Sequence, residues 1–236
     1  MGSRVHYVVK KGGLWAQWYS QFGGYAMELD LLPGPQAATR FALGQQPVEW
    51  WLSELECEGA ALIDHDEQRL LWQSDCDDDA AYQTAVLAVM AHTWPGWRID
   101  WAHGGLGDIL DALGEQRRFW ESRRSSLQGD TGTQDGRLGR STATSTSDSL
   151  RGLRDLVERF DAHQEMDEAT QAISLLLRVT GALTALGEQS GLRVETPVDN
   201  SFAHRPMDLT KEERATAHAA FDAVRRRHES RGAHPE

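Results

Sequence analysis

Residues 4–20 read RVHYVVKKGGLWAQWYS, and this stretch decides the fold class. Val5, Tyr7 and Val9 fall on one side of an extended chain, and His6, Val8 and Lys10 on the other. After Gly12-Gly13 the alternation resumes, with Trp15, Gln17 and Tyr19 opposed to Ala16, Trp18 and Ser20. Two glycines between period-2 runs supply the positive φ of a tight hairpin turn. A first antiparallel pair over Arg4–Lys11 and Leu14–Ser20 is therefore expected.

The same reading extends outward. Pro33-Gly34-Pro35 punctuates the chain, and Gln36–Leu43 suits a short helix. Pro47 can open a second helix, carrying Trp50 and Trp51. Gly59–Asp64 and Arg69–Trp72 form another hairpin pattern around His65-Asp66-Glu67-Gln68. Asp77, Asp78 and Asp79 precede a helix reaching about Thr93, with Tyr82, Val86, Val89 and Thr93 on one side. Trp97, Ile99 and Trp101 alternate as in a strand. Gly104-Gly105 leads into a helix bearing Leu106, Ile109, Leu110 and Leu113, and Gly114 is its expected stop. Hairpins predominate in this order, which predicts an α+β fold with a mostly antiparallel sheet.

Composition divides the 236 residues into two parts. All nine Trp lie between Trp15 and Trp120. Residues 125–149 contain 15 Gly, Ser or Thr and only Leu127, Leu138 and Ala143 as apolar side chains, too few to offset the entropy of ordering. The expectation is a Trp-rich module over 1–124, a flexible linker over 125–149 and an all-α region over 150–236. In that last region Leu150, Leu153, Val157 and Phe160 form one helical stripe. Ala169, Ile173, Leu176, Thr180 and Leu183 form another. Thr210-Lys211-Glu212-Glu213 has the capping-box spacing, with Thr210 as N-cap and Glu213 three residues on.

Charge narrows the partners. Thirty-six acids against 24 bases give a formal net charge of −12, and residues 1–124 hold 18 of those acids but 10 bases. Such a field repels phosphate backbones and anionic lipid, so neither nucleic acid nor membrane is an expected partner. A basic protein, or a small-molecule ligand of positive charge, is favoured instead. The helical region is a second expected contact, between copies of the chain. The only two cysteines, Cys57 and Cys76, make no disulfide framework, and the expected location is cytoplasmic. No cofactor is expected.

Four clusters are candidates for chemistry. Asp77–Asp79, with Asp75 and Cys76, lack the spacing of a calcium loop and read as a helix cap. Asp64-His65-Asp66 is the densest acid/His cluster, yet adjacent residues of a strand point to opposite faces, so a solvated turn is the simpler reading. His103-Gly104-Gly105-Leu106-Gly107-Asp108 sits where phosphate-binding turns sit, but it lacks a cation, and Asp108 would repel the anion. His6 and Ser20, on paired strands, are a weak nucleophile–base candidate. Neither a zinc pairing nor a nucleophile elbow occurs.

The tryptophans carry more weight. A module of about 120 residues cannot easily bury nine indoles, each with an N–H to satisfy, so some should line a groove or an interface. Trp18, Tyr19, Trp50, Trp51, Trp97 and Trp101, with Asp64 and Asp66, are the expected binding residues. The first expectation is a non-catalytic binding or regulatory protein, immunity-like or inhibitory, using an aromatic and acidic surface. The alternative is a small-molecule enzyme of specialised metabolism, with an aromatic pocket and acid–base work by His6, Asp64, His65 or His103.

Several stretches, namely the opening strand from Met1-Gly2-Ser3-Arg4, Trp18-Tyr19-Ser20, Gly59-Ala60-Ala61-Leu62-Ile63-Asp64 and Thr93-Trp94-Pro95-Gly96-Trp97, together resemble a family of uncharacterised proteins of high-GC actinomycetes. The resemblance spans roughly residues 1–114 and implies no activity, cofactor or site.

Overall fold

The structure is a computed structural model that describes residues 3–53, 55–74, 79–115, 147–167 and 207–232. Strands β1 (Val5–Lys11) and β2 (Leu14–Ser20) form the expected hairpin, with Lys11 opposite Leu14 and Val5 opposite Ser20. Gly12 and Gly13 turn it at φ of 64° and 75°, values that a side chain would oppose. Two short helices follow, α1 (Met27–Leu31) and α2 (Pro35–Gly44), and then β3 (Gln46–Val48). The second hairpin is β4 (Gly59–Asp64) with β5 (Arg69–Ser74). Helix α3 (Ala80–Thr93), strand β6 (Arg98–Trp101) and helix α4 (Leu106–Leu113) complete the module.

The sheet order is β3-β2-β1-β4-β5-β6. The α+β class holds, but the sheet is mixed rather than mostly antiparallel, because β1 runs parallel to β4 and β5 parallel to β6. The β5–β6 pair is joined through α3, whereas the chain between β1 and β4 passes through β2, α1, α2 and β3. The expected helix at Pro47 is also corrected. Pro47 lies on the edge strand β3 opposite Trp18, a position that tolerates a missing N–H as readily as a helix start does.

Both faces of the sheet are covered. Val5, Tyr7, Ala61, Ile63, Leu70 and Trp72 pack on one side with residues of α1, α2 and α3. Val8, Ala60, Leu62 and Leu71 pack on the other with Leu52 and with Leu106, Ile109 and Leu110 of α4. Central β4 is buried at all six positions, as a strand covered on both faces must be. Asp79 caps α3 by accepting the Ala81 N–H at 2.8 Å. Gly114, at φ 74°, ends α4 in the left-handed conformation.

The C-terminal region is helical where described. Helix α5 covers residues 147–167, and α6 (Lys211–Gly232) packs against α3. Leu153, Leu156 and Phe160 of α5 join Ala217, Phe221 and Val224 of α6 in the same core as β1 and β4. The Thr210 capping box forms reciprocally, Glu213 N to Thr210 Oγ1 at 3.2 Å and Thr210 N to a Glu213 carboxylate oxygen at 3.0 Å. The expected linker up to residue 146, the 169–183 stripe, Trp120 and Asp75–Asp78 lie outside the described residues.

Candidate functional site

Strand register decides which expected residues meet. His6 pairs with Tyr19 and Lys10 with Trp15, so these four share one face. Tyr7 pairs with Trp18, which puts Trp18 on the opposite face. The chain after β3 folds back over the first of these faces. Gln17 Nε2 donates to the Trp50 carbonyl at 3.0 Å, and the Leu52 N–H donates to His6 Nε2 at 3.0 Å. These two ties seat Trp50 and Trp51 above the strands.

His6 becomes the hub of an aromatic cluster. Its ring centroid lies 5.2 Å from that of Trp51, 5.6 Å from Trp50 and 6.1 Å from Tyr19. Tyr19 and Trp50 are 5.1 Å apart, and Trp15 and Trp51 5.9 Å. Burial pulls the His6 imidazole down to about 4, with the Trp18 backbone opposing only weakly. The ring is therefore neutral at pH 7. Since Nε2 accepts, the proton sits on Nδ1, which has no hydrogen bond of normal geometry among the described residues. Trp50, by contrast, is 48% exposed, and Leu55 nearby in sequence is 93% exposed.

The other expected residues go elsewhere. Trp97 packs on Trp94 and His65, and Trp101 on buried Trp72. Asp64 is buried; it receives Lys10 Nζ at 2.8 Å and the Asp66 and Glu67 N–H groups. Asp66 accepts from the Gly12 and Gly13 N–H groups at 2.6 and 2.8 Å, which hold its carboxyl below the usual range. The two carboxylates thus brace the neighbouring hairpin turns against one another.

The acid–base candidates do not converge. His65 Nε2 sits 2.9 Å from Thr39 Oγ1, whose own proton goes to the Pro35 carbonyl, so Nε2 is the donor there. His103 is exposed, and the Gly104 N–H donates to the Asp108 carboxylate at 2.7 Å, filling that turn from within. Ser20 pairs with Val5, on the face opposite His6. Two clefts of about 520 and 480 Å³ lie among the C-terminal helical residues, and none of the expected residues is among those that line them.

A second polar cluster lies on the other face of the sheet, built from residues far apart in the sequence. Tyr7 Oη donates to Asp30 Oδ2 at 2.8 Å, and His163 Nε2 lies 3.1 Å from Asp30 Oδ1 and 3.6 Å from Asp167. Tyr82 Oη donates to Glu28 at 2.9 Å, and the Arg159 guanidinium sits 4.4 Å above the Tyr82 ring. Burial pushes the Glu28 carboxyl and both tyrosines up. The signal was present in AMELDLL (residues 26–32), where two acids stand inside an apolar run. Both Asp30 oxygens are occupied and the side chain is fully buried, so this cluster holds elements together. Among the described residues no group of His, Cys, Asp and Glu is arranged to hold a metal ion. No helix of the described residues is long and apolar enough to cross a membrane. No protein-family model matches the chain, and no match to it is found among the curated proteins or the solved structures.

Proposed function

We propose that the protein is a non-catalytic binding or regulatory module that meets a partner protein through the aromatic surface built by β2 and residues 49–58. The observation that carries this reading is Trp50. It is locked by ring contacts to His6 and Tyr19, yet it leaves nearly half of its area in water. A rigid indole held at the surface loses little entropy on contact and brings a large apolar area, the usual properties of an interface anchor. Half-buried Tyr19, Trp51 and Trp15 extend the patch beside it. The separation of His6, Asp64, His65 and His103 favours binding over the enzyme alternative. A cytoplasmic location goes with this reading, on the ground of the two cysteines.

The test compares capture of partners by the full chain and by Trp50→Ala from cells that make the protein. A stoichiometric partner retained by the parent and lost by the variant, with an unchanged melting temperature, supports the reading. Equal capture by both, or no capture while the purified chain turns over a metabolite, overturns it.

A further inference from the structure

The exposed Trp50 face lies in a loop of one charge sign. Residues 49–58 read EWWLSELECE, with four glutamates and no lysine or arginine. Glu49 and Glu56 are exposed and Glu58 is half-buried. Arg4 reaches Glu56 at 3.3 Å, and no ion pair among the described residues engages Glu49 or Glu58. The Ser53 hydroxyl and backbone, with Arg4, hold the Glu56 carboxyl below its ordinary value, so it is charged at neutral pH.

Beneath the loop, the buried polar atoms left over among the described residues are of both kinds, a donor on His6 Nδ1 and an acceptor on Gln17. Gln17 must present Nε2 to the Trp50 carbonyl, which fixes its amide orientation. Its Oε1 is then a buried acceptor without a partner among the described residues. An exposed indole beside carboxylates that no ion pair among the described residues engages suits a donor-rich cation at the surface. Tryptophan is also the strongest ring partner for such a group.

We infer that the occupant of this surface is an arginine- or lysine-bearing segment of the partner protein, one cation seated on Trp50 and its neighbours paired with Glu49 and Glu58. This rests on the binding reading above and names the partner's chemistry.

The full chain is titrated with a ten-residue peptide of alternating Arg and Leu, its Glu-for-Arg counterpart and tetramethylammonium, followed by calorimetry and amide chemical shifts. The Arg peptide should bind with the largest shifts at residues 49–58 and weaken as salt rises. Trp50→Leu keeps an apolar contact but removes the ring face, and should weaken binding by about two- to fivefold. A Glu49→Gln, Glu58→Gln double variant should weaken it further and flatten the salt dependence. Melting curves of each variant show that the fold is intact. Equal binding of the Glu peptide, unchanged affinity in both variants, or saturation by tetramethylammonium as tight as by the peptide overturns the proposal. If the Arg peptide fails while capture of a cellular partner still depends on Trp50, the cation falls and the binding reading stands. If capture is also indifferent to Trp50, both fall.

Discussion

His163 Nε2 lies 3.1 Å from Asp30 Oδ1, which ties α5 to α1 across 133 residues of sequence. Tyr7 holds the other Asp30 oxygen from the central sheet, so one fully buried carboxylate is shared by a strand and a distant helix. Burial alone would depress the imidazole, but Asp30, with Asp167 and Glu28 behind it, outweighs burial and raises it. A breach of such a contact leaves a buried charge without its partner, which is costlier than the contact's net worth suggests.

The first prediction concerns pH. His163 has a folded pKa above its unfolded one, so its stabilisation is complete below pH 6.5 and is lost as pH rises through the folded value. His163→Gln retains a donor but not the charge. Urea unfolding should find the variant about 2 kcal/mol less stable at pH 5.5, with the gap narrowing toward pH 9. A gap independent of pH would contradict the charged pair.

His6 should behave in the opposite sense. Its folded value is about 4 against 6.5 unfolded, so its contribution is complete above pH 6.5 and is lost as pH falls toward 4. The whole shift is worth roughly 3 kcal/mol. His6→Gln can still accept the Leu52 N–H and does not titrate. Between pH 7 and 4.5 the parent should therefore lose more stability than the variant, as melts at the two pH values would measure. Parallel losses would mean that His6 is not buried beneath Trp51.

Much of this architecture was legible, and the misreadings have physical causes. Both hairpins announce themselves, because alternation and a Gly-Gly or polar turn are local signals. The parallel pairing of Val5 with Gly59 is not local, and neither strand's pattern says which distant strand it will meet. Pro47 misled because its ring suits a helix start and an edge strand equally. Tyr19, Trp50 and Trp51 do assemble, whereas Trp18, one residue from Tyr19, faces away; composition reports the surplus of rings, and only register sorts them. The Asp30 cluster was hidden because its histidine comes from a helix more than a hundred residues away.

Glu213 performs two tasks, and its removal should cost accordingly. One carboxylate closes the α6 capping box and receives both Arg40 guanidinium nitrogens at 2.6 Å, joining α6 to α2. Glu213→Ala should lose about 1–2 kcal/mol, mostly the cap, and Arg40→Ala about half a kcal/mol, since that side chain is half exposed. The double variant, measured by chemical denaturation, should lose less than the two single losses together. Strict additivity would show that the pair contributes nothing.

The seat of α5 can be tested at one glycine. Mid-helix glycine ordinarily weakens a helix by about 1 kcal/mol relative to alanine, so Gly152→Ala would stabilise α5 if that helix stood alone. In the folded chain Gly152 is buried, and a methyl group there would run into the backbone of Ala81 and Tyr82 at the start of α3. Backbone cannot rotate aside as a side chain can, so overpacking should outweigh the propensity gain and leave the variant about 2 kcal/mol less stable. Gly44→Ala, in the last turn of α2 with nothing within 4 Å of the added carbon, is the matched control and should be neutral or stabilising. Urea unfolding of the two variants decides the matter: if Gly152→Ala gains stability as Gly44→Ala does, α5 does not lie against α3 at Ala81, and the Asp30–His163 tie, on the same helix, loses its support.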